Sequence, residues 1–200
     1  MAEFLAAYPD VDVHLSLQDR AVNLLEEHFD VALRIGALAD SSLIAARIGE
    51  ICRVACASPA YLRGRGTPKT PDDLSRHDCI SFPPTQSPSI WRFKRDQTEY
   101  TVPVRSRLVV SNLESSSDAA RAGVGVAIVF SYHVADLIKS GELALVLQDY
   151  QPTPLPVNFV YSPNRFMPAK LRALLDFALP RLKAQLVDVQ KCIAPMSVRK

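Results

Sequence analysis

The most informative pattern of apolar and polar positions lies between residues 107 and 129. Residues 108–110 form a short strand-like run, Ser111 begins a capping box with Glu114, and Gly123 ends a helical spacing before a second apolar run. The segment therefore predicts a strand, a helix and a second strand. Because a helix that opens after a parallel strand presents backbone N–H groups and its positive dipole end, we expect a small anionic ligand at this helix start.

A second unit of the same kind is predicted near the beginning of the chain. Residues 11–17 alternate strictly between apolar and polar side chains, which predicts a strand. Residues 21–28 have helical spacing behind Asp19, a candidate N-cap, and residues 29–35 read as another strand. Two such β-α-β units favour the α/β fold class with parallel sheets.

Long apolar runs indicate how the rest of the chain is organised. Residues 44–57 are too long for one ordinary strand, so we interpret them as a crossover between two sheets, and we expect residues 157–161 to return. The segment around Asp96 predicts a hairpin. A long amphipathic helix follows over residues 171–186, and the chain from about Asp188 lacks periodicity and is expected to be loose.

Composition narrows the classes of function. With 200 residues, 48% of them apolar, the chain can bury one large core or two small lobes. A net charge of +2, with scattered Lys and Arg, does not predict a nucleic-acid-binding face. Because the four cysteines form no C-x-x-C pair and neither a leader nor a membrane-length apolar run is present, we expect a reduced, cytoplasmic, soluble protein.

Five residues are candidate ligand-binding residues, and each also has an ordinary structural interpretation. Ser111 and Asn112 are suited to contact an anion, but either could simply cap the helix. Arg34 interrupts an apolar strand near its carboxyl end, where it could face a ligand or form a structural salt bridge. Ser58 follows a strand, so its hydroxyl could contact a ligand or bond to its own turn. Phe130 could line the site or pack in the core.

Other motifs do not support catalysis. Gly123-x-Gly125 lacks the third glycine of a nucleotide-binding loop and follows the helix, so we interpret it as a helix end and a tight strand entry. His77 and Cys79 could form a nucleophile pair, but nothing around them predicts an activated thiol. The histidines lack the spacing of metal ligands. We therefore expect no metal, no cofactor and no enzymatic activity.

Short motifs spread from residue 4 to residue 186 resemble the effector-binding, or substrate-binding, domain of LysR-type transcriptional regulators. Each motif is weak alone, and their order makes the set specific. The motifs are Phe4-x-x-x-Tyr8-Pro9-Asp10-Val11, Asp30-Val31-Ala32-x-Arg34-Ile35-Gly36, Ser42-Leu43-Ile44-Ala45-x-Arg47, Ala57-Ser58-Pro59-Ala60-Tyr61-Leu62, Pro68-x-x-Pro71-x-Asp73-Leu74-x-x-His77-x-Cys79, Trp91-x-Phe93, Ala119-Ala120-x-Ala122-Gly123-x-Gly125-Val126-Ala127, Gly141-x-Leu143-x-x-Val146-Leu147, Val160-Tyr161-x-Pro163-x-Arg165 and Lys170-x-Arg172-x-x-x-Asp176-Phe177.

The resemblance implies a periplasmic-binding-protein-like (type 2) α/β fold, with two parallel or mixed-sheet lobes joined by two crossover strands and an effector in the cleft. Lobe I would comprise residues 1–52 and 162–190, lobe II residues 53–161, and the tail residues 191–200. The family's winged helix-turn-helix, first strand and start of the first helix have no counterpart here, so we expect a domain truncated at its N-terminus that does not itself contact DNA.

The functional expectation is a non-enzymatic sensor that binds a small organic anion and forms a homo-oligomer, a dimer or tetramer, without contacting a membrane. Two alternatives share the fold. One is a solute-binding protein of a transporter, which the absence of a leader disfavours. The other is an enzyme, which would need a catalytic constellation that the sequence does not show.

Overall fold

The computed structural model describes residues 1–19, 24, 26–38, 42–82, 90–163 and 167–193. The helices are α1 (Ala2–Ala7), α2 (Pro59–Arg65), α3 (Leu113–Arg121), α4 (Ser131–Lys139) and α5 (Ala169–Ile193), with short 3-10 helices at Pro71–Arg76 and Gln148–Tyr150. The strands are β1 (Val31–Ile35), β2 (Ile44–Ile51), β3 (Arg53–Ala57), β4 (Asp78–Ser81), β5 (Ile90–Arg95), β6 (Thr98–Pro103), β7 (Arg105–Val109), β8 (Val126–Phe130), β9 (Ala144–Val146) and β10 (Leu155–Tyr161).

The chain divides into two compact units. The first comprises Met1–Glu50 and Leu155–Val187, and the second comprises Ile51–Pro154 and Asp188–Lys200. This division places the strand Leu155–Tyr161 in the first unit, whereas the predicted lobe II extends to residue 161. The predicted lobe boundaries remain predictions from the sequence.

The first unit contains a three-stranded sheet in the order β1-β10-β2. Strands β1 and β10 are antiparallel, with Val31 opposite Tyr161. Helix α5 lies very close to β2, because a Cβ on Gly49 would stand 3.0 Å from the Leu186 side chain. Glycine at this position therefore allows the helix to pack on the strand.

The second unit contains a five-stranded mixed sheet in the order β7-β4-β8-β3-β9. Strand β4 is parallel to both of its neighbours, and β3 is antiparallel to β8 and β9. The predicted strand-helix-strand segment is confirmed as β7, α3 and β8, with β4 inserted between the two strands.

Apolar residues cover both faces of this five-stranded sheet. Alternate residues of β3 face opposite sides, so that Ala55 and Ala57 join one cluster and Val54 and Cys56 join the other. The first cluster, which we call the hairpin-side cluster, includes Trp91 of the antiparallel hairpin β5-β6. The second, the helix-side cluster, contains buried residues of α3, α4 and the end of α5. The predicted hairpin is thus confirmed.

The apolar run 44–57 divides into two strands that belong to different sheets. Strand β2 pairs within the first unit, Cys52 lies between the strands, and β3 enters the sheet of the second unit. The interpretation of this run as a crossover is therefore confirmed. Strand β10 similarly follows the second unit in the chain and pairs within the first.

The structure differs from the sequence predictions near both ends of the chain. Residues 11–17 form no strand, and Leu17 is 85% exposed, so alternation alone was insufficient without a partner strand in the described part of the chain. Residues 21–23 and 25 of the predicted helix over residues 21–28 lie outside the described residues, and the described residues 24 and 26–28 form turns rather than a helix. The loose region expected from Asp188 is wrong up to Ile193, because α5 continues to that residue and buries its side chain in the helix-side cluster.

Candidate functional site

Several strands of the second unit end together at one edge of its sheet. Ser81 of β4 pairs with Val109 of β7, and β8 runs parallel to β4. Arg53, the first residue of β3, pairs with Phe130, the last residue of β8. We call this side the carboxyl edge, because the parallel strands β4, β7 and β8 all end there. In α/β sheets such an edge is where ligands most often bind.

Helix α3 begins at the carboxyl edge directly after β7. Its N-cap is Asn112, whose side-chain oxygen accepts a hydrogen bond of 2.8 Å from the Ser115 N–H. The predicted capping by Ser111 is therefore wrong by one residue, because the extended backbone of Asn112 already places an amide oxygen over the first turn. Ser111 and Asn112 are both exposed. The N–H groups of the first turn have no partner within the helix itself.

Apolar side chains border this helix start. Val110, Phe82 and Phe130 are partly buried and pack on the helix-side cluster, which also contains Leu113. One strand separates β7 from β8, so the chain at Ser111 and at Phe130 is about 10 Å apart. The structure thus brings together a helix N-terminus, two exposed polar side chains and an aromatic ring within the span of a small organic molecule.

Helix α4 also begins at this edge, immediately after Phe130. The Ser131 N–H donates to the Cys52 carbonyl at 2.9 Å, and the Cys52 N–H donates to the Ser131 hydroxyl at 3.4 Å. Ser131 is fully buried. Its hydroxyl therefore fixes the segment between β2 and β3.

Sequence reasoning missed an aromatic and cationic group beside Phe130. The Phe130 ring is stacked with those of Tyr132 and His133, at centroid distances of 5.9 and 6.2 Å. The Arg53 guanidinium lies 5.6 Å from the Phe130 centroid, and burial lowers the pKa of Arg53. The sequence did carry a signal for Arg53, because it interrupts an apolar run just as Arg34 does.

Ser58 does not join this group. It follows the last residue of β3, and β3 runs antiparallel to β8, so Ser58 lies at the opposite edge of the sheet from Ser111. Its hydroxyl is buried and accepts a hydrogen bond of 3.3 Å from the Tyr61 N–H as the N-cap of α2. The structure therefore supports the interpretation of Ser58 as a helix cap and separates it from Ser111, Asn112 and Phe130.

Arg34 belongs to the first unit. It is the fourth residue of β1 and lies opposite the buried Asn158 of β10. Its predicted contact with a ligand remains a prediction from the sequence.

His77 and Cys79, which the sequence suggested as a nucleophile pair, are both buried in the core. The His77 Nδ1 atom lies 3.1 Å from the Tyr61 hydroxyl, and burial lowers the pKa of His77. Burial also raises the pKa of the Cys79 thiol to about 12, so this thiol stays protonated at neutral pH and is a poor nucleophile. The described residues contain no cluster of three His, Cys, Asp or Glu side chains able to hold a metal ion.

The sequence comparisons identify a family of regulators. The family model described as the LysR substrate binding domain matches residues 1–183. The probable HTH-type transcriptional regulator LtrA of Klebsiella pneumoniae is 30% identical over 190 residues, which cover 92% of this chain and 62% of LtrA. The chain spans about three fifths of the length of the first curated relatives that it matches.

Solved structures give the same result. The regulatory domain of CrgA, a LysR-type transcriptional regulator from Neisseria meningitidis, has a TM-score of 0.79 at 28% identity, covering 90% of this chain and 89% of that domain. The full-length Vibrio cholerae virulence activator AphB has a TM-score of 0.79 at 27% identity, covering 90% of this chain and 61% of AphB. Among the described helices, none is both long and apolar enough to span a membrane.

Proposed function

This chain belongs to the LysR substrate-binding domain family, with the type 2 periplasmic-binding-protein-like fold, and we propose that it senses a small organic anion at the start of α3. The relatives are transcriptional regulators and not enzymes, and they give no support to the alternative of a transporter's solute-binding protein. The observation that carries the proposal is the exposed N-terminus of α3 at the carboxyl edge, bordered by Phe130.

The physical chemistry of this edge favours an anion. A helix N-terminus favours a negative charge by about 0.3–1 kcal/mol at exposed positions, and the N–H groups of its first turn can donate hydrogen bonds to a carboxylate. Ser111 adds an exposed hydroxyl beside them. Since Phe130 lies about 10 Å away, we propose a ligand with a carboxylate at α3 and an apolar or aromatic body that reaches this ring.

We propose that the ligand acts by shifting a conformational equilibrium. A ligand can do so only by binding one state more tightly than the other, and this difference sets the size of the response. We further propose that the domain works in a cytoplasmic homo-oligomer, a dimer or tetramer, and that this response alters the arrangement of subunits and hence transcription. Contact with DNA is assigned to a separate part of a longer protein, in line with the greater length of the HTH-type relatives.

A thermal-shift screen of the purified chain tests the proposal. Each carboxylate, for example benzoate or an aliphatic acid, is paired with its neutral amide. We expect a saturable rise in Tm for at least one acid and a much smaller rise for its amide, since only the acid carries the charge that α3 attracts.

Variants then locate the site. Ser111→Ala is expected to weaken binding without changing the Tm of the unliganded protein, because its hydroxyl is exposed. Ser58→Ala serves as the comparison, because Ser58 lies at the other edge of the sheet and should affect stability rather than affinity. Unchanged affinity in Ser111→Ala, together with lost affinity in Ser58→Ala, would contradict the proposed site.

A further inference from the structure

Three arginines of the second unit converge on one buried carboxylate. The guanidinium nitrogens of Arg65, Arg105 and Arg107 lie 3.4, 3.7 and 3.2 Å from the oxygens of Asp78. The Asp78 side chain is only 5% exposed, whereas the arginine side chains are 55%, 76% and 60% exposed in the same order. We call these four residues the arginine cluster. One negative and three positive charges leave it with an excess of two positive charges.

Contacts of the Asp78 backbone hold the residue at the centre of the cluster in place. The Asp78 N–H donates to the buried Tyr61 hydroxyl at 2.9 Å. On the other side, a Cβ on Gly125 would lie 2.2 Å from the Asp78 carbonyl oxygen, so the two strands approach as closely as glycine permits. The position of Asp78 is therefore fixed, and the three arginines are arranged around it. This arrangement reduces the side-chain conformational entropy that is lost when a ligand binds.

A β-bulge lies at one of the arginines that contact Asp78. The pairing of β4 with β7 shifts between Cys79 and Ile80, whose partners are Ser106 and Leu108, so Arg107 is the extra residue of β7. Bulges commonly redirect a side chain near a functional site. Arg105 and Arg107, both on the edge strand β7, reach the same carboxylate.

Most of the donors of the cluster remain available to a ligand. Each guanidinium has five N–H groups, and only Arg65 and Arg107 form a hydrogen bond with Asp78. No second carboxylate in the described part of the chain pairs with any of the three arginines. The cluster can therefore accept an anion on its solvent side without losing Asp78.

We propose that the arginine cluster binds the phosphate dianion of a small molecule, either inorganic phosphate or a phosphate monoester. The two negative charges match the excess charge, and guanidinium groups suit the geometry of phosphate oxygens. The arginines meet around one point, whereas a nucleic-acid face requires positive charge spread along a surface. This observation favours a single phosphate group over duplex DNA.

The cluster is separate from the anion site proposed at α3. Arg105 begins β7 and Ser111 follows the end of that strand, so six residues of extended chain, about 20 Å, lie between them. The parallel strand β8 likewise begins near Asp78 and ends near α4. Substitutions in the cluster therefore affect this site while leaving the start of α3 unchanged.

Calorimetric titration of the full 200-residue chain tests this second site, with inorganic phosphate and phenyl phosphate as separate probes. We expect saturable binding of at least one probe, and the two probes distinguish the free ion from the ester. The double variant Arg105→Gln/Arg107→Gln should weaken binding at least about tenfold, since two charge-assisted contacts are lost. Arg92→Gln removes an exposed arginine of β5 and is the matched control, with affinity expected to be unchanged.

Two further variants distinguish a loss of phosphate binding from a change in folding. The single variant Arg105→Gln, whose contact with Asp78 is the longest of the three, should retain the wild-type Tm and still bind phosphate more weakly. Asp78→Asn, if its Tm shows that it folds, should bind phosphate more tightly because the excess charge rises to three. The proposal is overturned if the wild type shows no saturable binding, if Arg92→Gln loses as much affinity as the double variant, or if only duplex DNA binds.

Discussion

Replacing Asn112 by aspartate separates ligand binding from stability at the start of α3. Asparagine and aspartate are comparable N-caps, and a negative charge interacts favourably with the helix dipole. The hydrogen bond from the Ser115 N–H can therefore be kept. We expect the Tm of the unliganded variant to equal or slightly exceed that of the wild type.

The same substitution should strongly weaken the binding of an anion. A ligand carboxylate that accepts hydrogen bonds from the first turn would lie about 5 Å from the introduced carboxylate. At an effective dielectric constant of about 20, two like charges at this separation repel by about 3 kcal/mol, or roughly a hundredfold in affinity. Because Asn112 is exposed, solvent screening reduces this value, and about tenfold is the lower bound that we expect.

Calorimetry with an acid and its neutral amide provides the assay. Asn112→Ser is the control, since serine caps a helix without adding charge. The acid should lose affinity only in the aspartate variant, and the loss should shrink at high salt. A loss below about threefold for the acid, or an equal loss for its amide, would show that no anion binds at this helix start.

Three further predictions concern the scaffold. Gly125→Ala should lower the free energy of unfolding, measured by urea denaturation, by about 3 kcal/mol, because the new Cβ would lie 2.2 Å from the backbone oxygen of Asp78. Gly64→Ala is the control and should be neutral or stabilising, because nothing lies within 4 Å of its Cβ position. Equal effects of the two substitutions would refute the close approach of the strands. Hydrogen bonds from the backbone N–H groups of Thr70 and Lys69 lower the pKa of Asp73 to about 2. The stabilisation by the Asp73 carboxylate is therefore complete above about pH 4 and is lost as the pH falls toward 2. The difference in unfolding free energy between wild type and Asp73→Ala should shrink over that interval. In native protein at pH 8 the buried Cys79 should resist alkylation, and rapid labelling, read by mass spectrometry, would contradict its raised pKa.

Local patterns predicted the elements that carry the candidate site. The β-α-β segment from β7 to β8 and the hairpin β5-β6 were correct because turn residues and periodicity act over a few neighbouring positions. Periodicity could not distinguish Ser111 from Asn112 as the cap, because both residue types cap helices and they are adjacent. The anion-facing helix start was therefore predictable, although its hydrogen-bond geometry was not.

The features that the sequence analysis predicted incorrectly or missed depend on the long-range arrangement of the chain. The position of Ser58 depends on the antiparallel direction of β3, which is set by the passage of the chain from one sheet to another rather than by residues near Ser58. The arginine cluster combines α2, β4 and β7, and no local motif links these residues. Residues 11–17 have the alternation of a strand, but pairing requires a partner that alternation does not specify.

The most direct test of ligand sensing at α3 is a two-dimensional amide NMR titration of the isotope-labelled chain with an acid that raises its Tm. We expect the largest saturable shifts at the N–H groups of Leu113 and Glu114, with smaller changes near Phe130 and little change at Arg105. If the N–H signals at the start of α3 stay unchanged while those of another part of the chain shift, the effector does not bind at α3.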